Sequence, residues 1–455
     1  MKKLFFIFLF IAAVANAQYK IKGTLKPTEK YTWILLYKIE GARQIFVKNT
    51  TIKQEPKKIN GATVTLGHFE FELPADAKKG MYRVTYDMRN NKFADFLFNK
   101  ENVTFSFNPK YPEQTISFSE SKENILFQNY LKAISKEQKI TDNLQVDYLK
   151  TPKETTKKSY KKSLVKLKNI QADFNSKSKG TLANSFIKAT NRYNSPEIAT
   201  SAKDYYKTIT THFFDNVNFE NTDLFNSSFL VDRISDYIFY INYSKNSVTQ
   251  TSLHKKAIAK VITKIKNPVF KRDIMEFLIN QFKGSKQVTM VDYLFATYYD
   301  TFSKKLQNKE FKAKVLADLA VEVGRIAPDF SLTVKGKAKK LSTLNDAKNY
   351  VLVFWSTSCS HCLREIPVLY EKTKDLKNIK VIAFALETND VDWKNYKTKL
   401  NKWHNVIGLN KWENKIARTY QIMSTPTYIV LNADKKIIAK PEELKDIVEF
   451  VKLLK

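Results

Sequence analysis

Tyr350-Val351-Leu352-Val353-Phe354-Trp355-Ser356-Thr357-Ser358-Cys359-Ser360-His361-Cys362 is the stretch on which the reading turns. Its first six residues form an unbroken apolar run, as expected of a strand buried on both faces. Cys359 and Cys362 follow within a few residues and open a helical pattern running to Lys374. A C-x-x-C pair at the end of a strand and the start of a helix is placed for redox work. Helix N–H groups point outward there, and the positive end of the dipole favours thiolate over thiol.

Outward from this stretch, the alternation of strand and helix continues. Lys380–Leu386 and Thr427–Asn432 read as further buried strands, and Lys436–Lys440 as a shorter one. Helical patterns fall at 390–402, 413–420 and 442–454. Such alternation predicts an α/β sheet.

The chain has 455 residues, two cysteines and a net charge of +32. Its length suits about three domains. Lys2, Lys3, the apolar run Leu4–Val14 and Ala15-Asn16-Ala17 read as a secretory signal peptide over 1–17, cleaved after Ala17. The run is too short to span a bilayer, and no later stretch is apolar enough, so the mature chain is expected to have no transmembrane segment. The lysines are spread in short pairs, not in a basic block, which fits a solvated surface and gives no nucleic-acid partner. A disulfide closing so small a loop adds little stability, so the cysteine pair reads as reactive.

Residues 18–118 show period-two alternation, as in Tyr19, Ile21, Gly23, Leu25 and in Phe69, Phe71, Leu73, and predict an all-β sandwich or barrel-like domain. Residues 119–318 show helical spacing, as in Leu164, Leu167, Ile170, Phe174 and in Val231, Ile234, Tyr237, Ile238, Ile241, and predict an all-α domain. The aromatics of this region, including Phe213, Phe214 and Phe219, fit packing between helices better than a ligand groove. A C-terminal α/β domain over 319–455 completes a multidomain chain.

Other uses of the cysteine pair fit less well. Two Cys and His361 do not make a zinc pattern, so no metal and no cofactor is expected. Ser356-x-x-Cys359 has the outline of a peroxidatic motif, but Leu352 stands where that motif needs a proline.

Trp355, Cys359, Cys362 and Pro367 fall at the spacing seen in thioredoxins. Ala327-Pro328-Asp329-Phe330 resembles the opening of TlpA/ResA-type proteins, and Ser424-Thr425-Pro426-Thr427 their cis-proline loop. The resemblance covers about 135 residues. Gly67-His68-Phe69-Glu70-Phe71 with Gly80-Met81-Tyr82-Arg83 resembles the β domain that precedes such domains, and 119–318 resembles the helical insert of Bacteroidetes-type members.

The resemblance implies a thioredoxin fold and thiol-disulfide exchange, with Cys359 as nucleophile and Cys362 as resolving thiol. Glu365 would move their protons, and it is the only carboxylate the sequence places nearby, because Val353 replaces the buried acid of thioredoxins. Pro426 would be cis, and Thr425 would pair with an extended substrate. Trp355 and His361 would face substrate, with a protonated His361 also able to favour the thiolate. Ser358 departs from the usual Trp, and Ala433-Asp434-Lys435-Lys436 lacks the expected Gly. Partners would be cysteine-containing exported proteins and a membrane-bound electron donor, in the periplasm or cell envelope, with disulfide reduction as the direction. The alternative is an envelope binding module for a peptide or polyanion, with a structural or redox-sensing C-terminal domain.

Overall fold

A computed structural model describes residues 17–59 and 61–454. Apart from Ala17, the expected leader lies outside them. The chain divides into two compact units, one ending at Ile274 and the other beginning at Met275. The first holds the β sheets and most of the helices, and the second holds the last helices and a thioredoxin-like α/β sheet.

Nine strands open the first unit: β1 (Ala17–Leu25), β2 (Trp33–Glu40), β3 (Arg43–Thr51), β4 (Lys53–Ile59), β5 (Ala62–Pro74), β6 (Gly80–Asp87), β7 (Lys92–Phe98), β8 (Val103–Phe107) and β9 (Ser117–Glu120). They form a five-stranded sheet, β4-β5-β1-β8-β9, and a four-stranded sheet, β3-β2-β6-β7. Side chains from both sheets, among them Ile21, Phe69 and Phe105 from one and Leu36, Val84 and Phe96 from the other, meet in one core. Alternation explains this, since every second residue of a strand turns to the same face. β3 and β4 were not evident in the sequence, because both are almost wholly exposed and so lack an apolar alternation, and β4 is Lys-rich as well.

Helices follow from Lys122. Ser121 caps the first, its side chain accepting from the Asn124 N–H, and this helix runs to Lys150, well past the pattern that stops at Lys136. Glu137, Thr141 and Gln145 carry it on as buried polar residues. The Thr141 and Ser163 hydroxyls lie 2.7 Å apart, and Ser163 donates to Glu137 at 2.6 Å. Hydrogen-bonded polar groups thus replace the apolar stripe against Glu154–Lys177. The aromatics pack against one another, as in the cluster of Phe213, Phe214, Phe219 and Tyr237.

In the second unit, the hairpin β10 (Ser331–Val334) and β11 (Lys337–Lys340) precedes the sheet strands β12 (Asn349–Trp355), β13 (Ile379–Glu387), β14 (His404–Leu409), β15 (Thr427–Asn432) and β16 (Ile437–Ala439). The sheet order is β14-β13-β12-β15-β16. β12 pairs in parallel with β13 and antiparallel with β15. Tyr350, Leu352 and Phe354 enter the core on one face, and Val351, Val353 and Trp355 the core on the other. Both faces of β12 are therefore covered, which is why its sequence is continuously apolar. Three of the predicted helices are shorter than their patterns, at Val391–Tyr396, Lys415–Thr419 and Leu444–Leu453.

The turn without glycine is built on Lys435. Its backbone takes the left-handed conformation, φ 64°. Its buried ammonium donates to the Leu344 carbonyl at 2.8 Å and also to the Ala433 carbonyl, and lies 4.5 Å from the centre of the Tyr350 ring. Contacts at the far end of the side chain hold a conformation that glycine would adopt without cost.

Candidate functional site

The helix Ser360–Thr373 begins at Cys359, which occupies its N-cap with φ −97° and ψ 110°. The Cys359 Sγ accepts from the Cys362 N–H at 3.2 Å and donates to the Thr425 carbonyl at 3.4 Å. Cys359 is partly exposed and Cys362 is buried. One thiol can therefore meet a macromolecule, and the other waits beneath it.

Their acidities separate accordingly. Burial works against ionisation of Cys359, but hydrogen bonds with the Cys362 thiol, the Thr425 side chain and the N–H groups of Cys362 and His361 outweigh it, so its pKa lies below that of an ordinary thiol. Burial first, and the bond to Cys359 second, push Cys362 up to about 12. Of the two thiols, Cys359 therefore gives up its proton first, and Cys362 keeps its own.

Two carboxylates approach this centre. Glu365 lies one turn past Cys362, its Oε2 accepting from the Tyr428 hydroxyl at 2.6 Å and its Oε1 3.6 Å from His361 Nδ1. Tyr428 is buried and its phenol is held protonated, by burial first and then by Glu365 and the two cysteines. The second acid is Glu387, at the end of β13, which corrects the expectation that Glu365 stands alone. It is buried, accepts from the Thr357 N–H at 2.6 Å and from the Ser356 hydroxyl at 3.3 Å, and so braces the loop that delivers Cys359. No sequence motif marks Glu387, and only its position at the end of a buried strand beside β12 could have suggested it.

The Thr425–Pro426 peptide bond is cis. His361, Glu365, Thr425 and Pro426 line one side of an open groove of about 530 Å3, with Glu442–Lys445 on the other. Trp355 is not among them. It is fully buried, its ring 5.1 Å from that of Tyr396, so it packs behind the site and has no surface to offer a substrate. The His361 side chain is 66% exposed and leans toward Glu365. Among the described residues no cluster of His, Cys, Asp or Glu could hold a metal ion, and no helix is long and apolar enough to cross a membrane.

Residues 323–440 match the AhpC/TSA family model. The thiol-disulfide oxidoreductase ResA of Bacillus thuringiensis is 31% identical over 135 residues, which cover 28% of this chain and 76% of that protein. The thioredoxin-like protein YneN of Bacillus subtilis is 26% identical over 152 residues, covering 33% of this chain and 81% of that protein. Among solved structures, a thiol-disulfide oxidoreductase from Bacteroides fragilis is 25% identical, covers 29% of this chain and all of its own, and superposes with a TM-score of 0.26. The dithiol at a helix start, the thioredoxin-like sheet and the extent of the ResA match agree, and the chain belongs to the thioredoxin-like thiol-disulfide oxidoreductases of the ResA type.

Proposed function

We propose that the chain is an exported reductase of protein disulfides, working through Cys359 and Cys362. The observation that carries this reading is the division of acidity within the pair, a partly exposed thiol of lowered pKa above a buried thiol of raised pKa. The Cys359 thiolate attacks a substrate sulfur, forms a mixed disulfide and releases the first substrate thiolate. Cys362 then gives its proton to Glu365 and attacks the Cys359 sulfur. The second substrate thiolate leaves, and the two electrons gained by the substrate leave Cys359 and Cys362 as a disulfide. The lowered pKa of Cys359 serves the first step, because it raises the share of thiolate, the attacking form, near neutral pH.

The groove beside Pro426 is open enough for an extended chain, and Thr425 offers its backbone there. The substrates that fit are cysteine-containing proteins of the envelope, to which the reading of 1–17 as a cleaved leader also directs the chain. A membrane-bound donor of electrons would return the disulfide to the dithiol. Peroxide reduction fits less well, since Ser356 is engaged by Glu387 and a resolving thiol already lies one turn from Cys359.

Insulin reduction in the presence of dithiothreitol tests the chemistry, and no turnover by the full chain would refute it. The potential of the pair tests the direction. A value near −270 mV, roughly that of thioredoxin, supports a reductant, and one near roughly −120 mV would make the chain an oxidant.

A further inference from the structure

A second cleft lies in the first unit, far along the sequence from the cysteines. It encloses about 330 Å3 between the helix Lys122–Lys150, the loop after Ala183–Thr190 and the helix Phe229–Ser235. Lys139, Arg192 and Arg233 line it, with Asp142 as the one acid among the lining residues.

The two arginines are placed differently. Arg192 is matched, with Nη1 donating to Asp142 at 3.0 Å and Nη2 to Asp142 and Asn194. Arg233 is not matched. Among the described residues no carboxylate oxygen comes within 4.0 Å of its guanidinium. Its contacts are one bond from Nη2 to the Phe213 carbonyl, at 3.1 Å, and the face of the Phe213 ring, 4.1 Å away. Its Nε is buried without a partner. Asp236, one turn on, offsets its charge from a distance, while Arg192 adds to it. Arg233 is partly exposed, but its Nε is shut off from water, and a partly desolvated cation is favoured by an anion whose hydrogen bonds replace the lost water. Gln138 and Asn194 spend their amide N–H groups on Asp142, on each other and on the Arg192 carbonyl, and so brace the rim around the cations, while Asn191, Ile134 and Leu167 complete the lining.

We propose that this cleft is a binding site for a small oxyanion, a carboxylate or a phosphate, held by Arg233 with Lys139 and Arg192 around it. A planar guanidinium with an uncommitted edge is suited to either group. The volume limits the ligand to a metabolite-sized anion or to a single anionic group of a larger molecule.

Thermal unfolding of the full chain, titrated at constant ionic strength with inorganic phosphate, with succinate and with chloride as the control, tests the site. A saturable rise in Tm with phosphate or succinate over chloride is expected, and whichever anion produces it identifies the source. Arg233→Gln should weaken the apparent affinity about tenfold, the effect of losing a charged hydrogen-bond partner. Lys139 is exposed, so Lys139→Ala keeps the fold and should weaken the affinity in the same direction. No rise over chloride in the parent chain would overturn the proposal. So would an unchanged response in Lys139→Ala together with either an unchanged response or loss of folding in Arg233→Gln.

Discussion

The Tyr428 hydroxyl donates a 2.6 Å hydrogen bond to Glu365, joining the strand after the cis proline to the helix that carries both cysteines. Because burial, Glu365 and the cysteines together keep this phenol protonated, Tyr428 can only be a donor here. The bond fixes one oxygen of Glu365 and leaves the other available for a proton. Replacing Glu365 with Gln keeps the acceptor for Tyr428 and removes the base. Decay of a mixed disulfide on Cys359, followed in a single turnover, should slow about a hundredfold in Glu365→Gln, in the range of a lost general base. Tyr428→Phe should slow it less, since the carboxylate remains. A Glu365→Gln variant that resolves at the parent rate would remove Glu365 from the mechanism.

The separated acidities predict how the dithiol reacts. The Cys359 pKa is lowered from 9.0, so its thiolate persists as pH falls below the range where an ordinary thiol protonates. Cys362 keeps its proton until about pH 12. Alkylation of the reduced protein with iodoacetamide, read by mass spectrometry, should give a single adduct on Cys359 with its inflection below pH 9. Two adducts at neutral pH, or an inflection above that of a free thiol, would contradict the arrangement.

His361 should matter less than its place between the cysteines suggests. Its ring is largely in water and faces Glu365, and what it offers Cys359 is a backbone N–H that any residue supplies. Removing the ring can only take away whatever support it lends the thiolate. In His361→Ala the rise in the Cys359 pKa should stay within roughly half a unit, equivalent to about 0.7 kcal/mol. A rise of a full unit or more in the alkylation profile would show that the ring itself holds the thiolate.

What could be read from sequence depended on whether the information was local. β12 was legible because burial on both faces leaves no polar residue in Tyr350–Trp355. β14 was not, because this edge strand mixes His404, Asn405 and Gly408, and only Gly408 is buried. Cys359, Cys362 and Glu365 share one helix, so their spacing alone brings them together. Glu387 and Tyr428 reach the same centre from the two strands that flank β12, and strand pairing is not written in either segment. Trp355 was misplaced for a related reason. Spacing put it beside the cysteines, but the direction of its side chain follows from the pleat of β12, which turns it inward.

The two bonds at Glu387 predict a structural cost that propagates to the chemistry. Glu387→Ala leaves the Thr357 N–H and the Ser356 hydroxyl without their acceptor. An orphaned buried donor costs about 1–3 kcal/mol, so the urea midpoint should fall at unchanged slope. Ser356 also accepts the Cys359 N–H at 3.2 Å, so loosening it should slow attack by Cys359 as well. A variant as stable and as fast as the parent would show that the loop holds itself.

Gly23 gives the sharpest test of the β core. It lies directly across β1 and β5 from Phe69. A Cβ at Gly23 would stand 1.9 Å from the tip of the Phe69 ring, with two further ring atoms within 2.6 Å. The ring is enclosed, packing edge-on against Phe71 and Phe105 with centres 5.8 and 5.9 Å away, so it cannot step aside freely. Two effects oppose each other in Gly23→Ala. Replacing a strand glycine gains about 0.5–1 kcal/mol from the backbone, while forcing a group into a filled core costs about 1–3 kcal/mol or more. An overlap this deep places the variant at the costly end, so net destabilisation is expected in denaturant unfolding. Shortening the opposing side chain should recover part of it, with Gly23→Ala and Phe69→Leu together less damaging than the sum of the two alone. A more stable Gly23→Ala, or strict additivity of the pair, would mean that Phe69 does not cover Gly23.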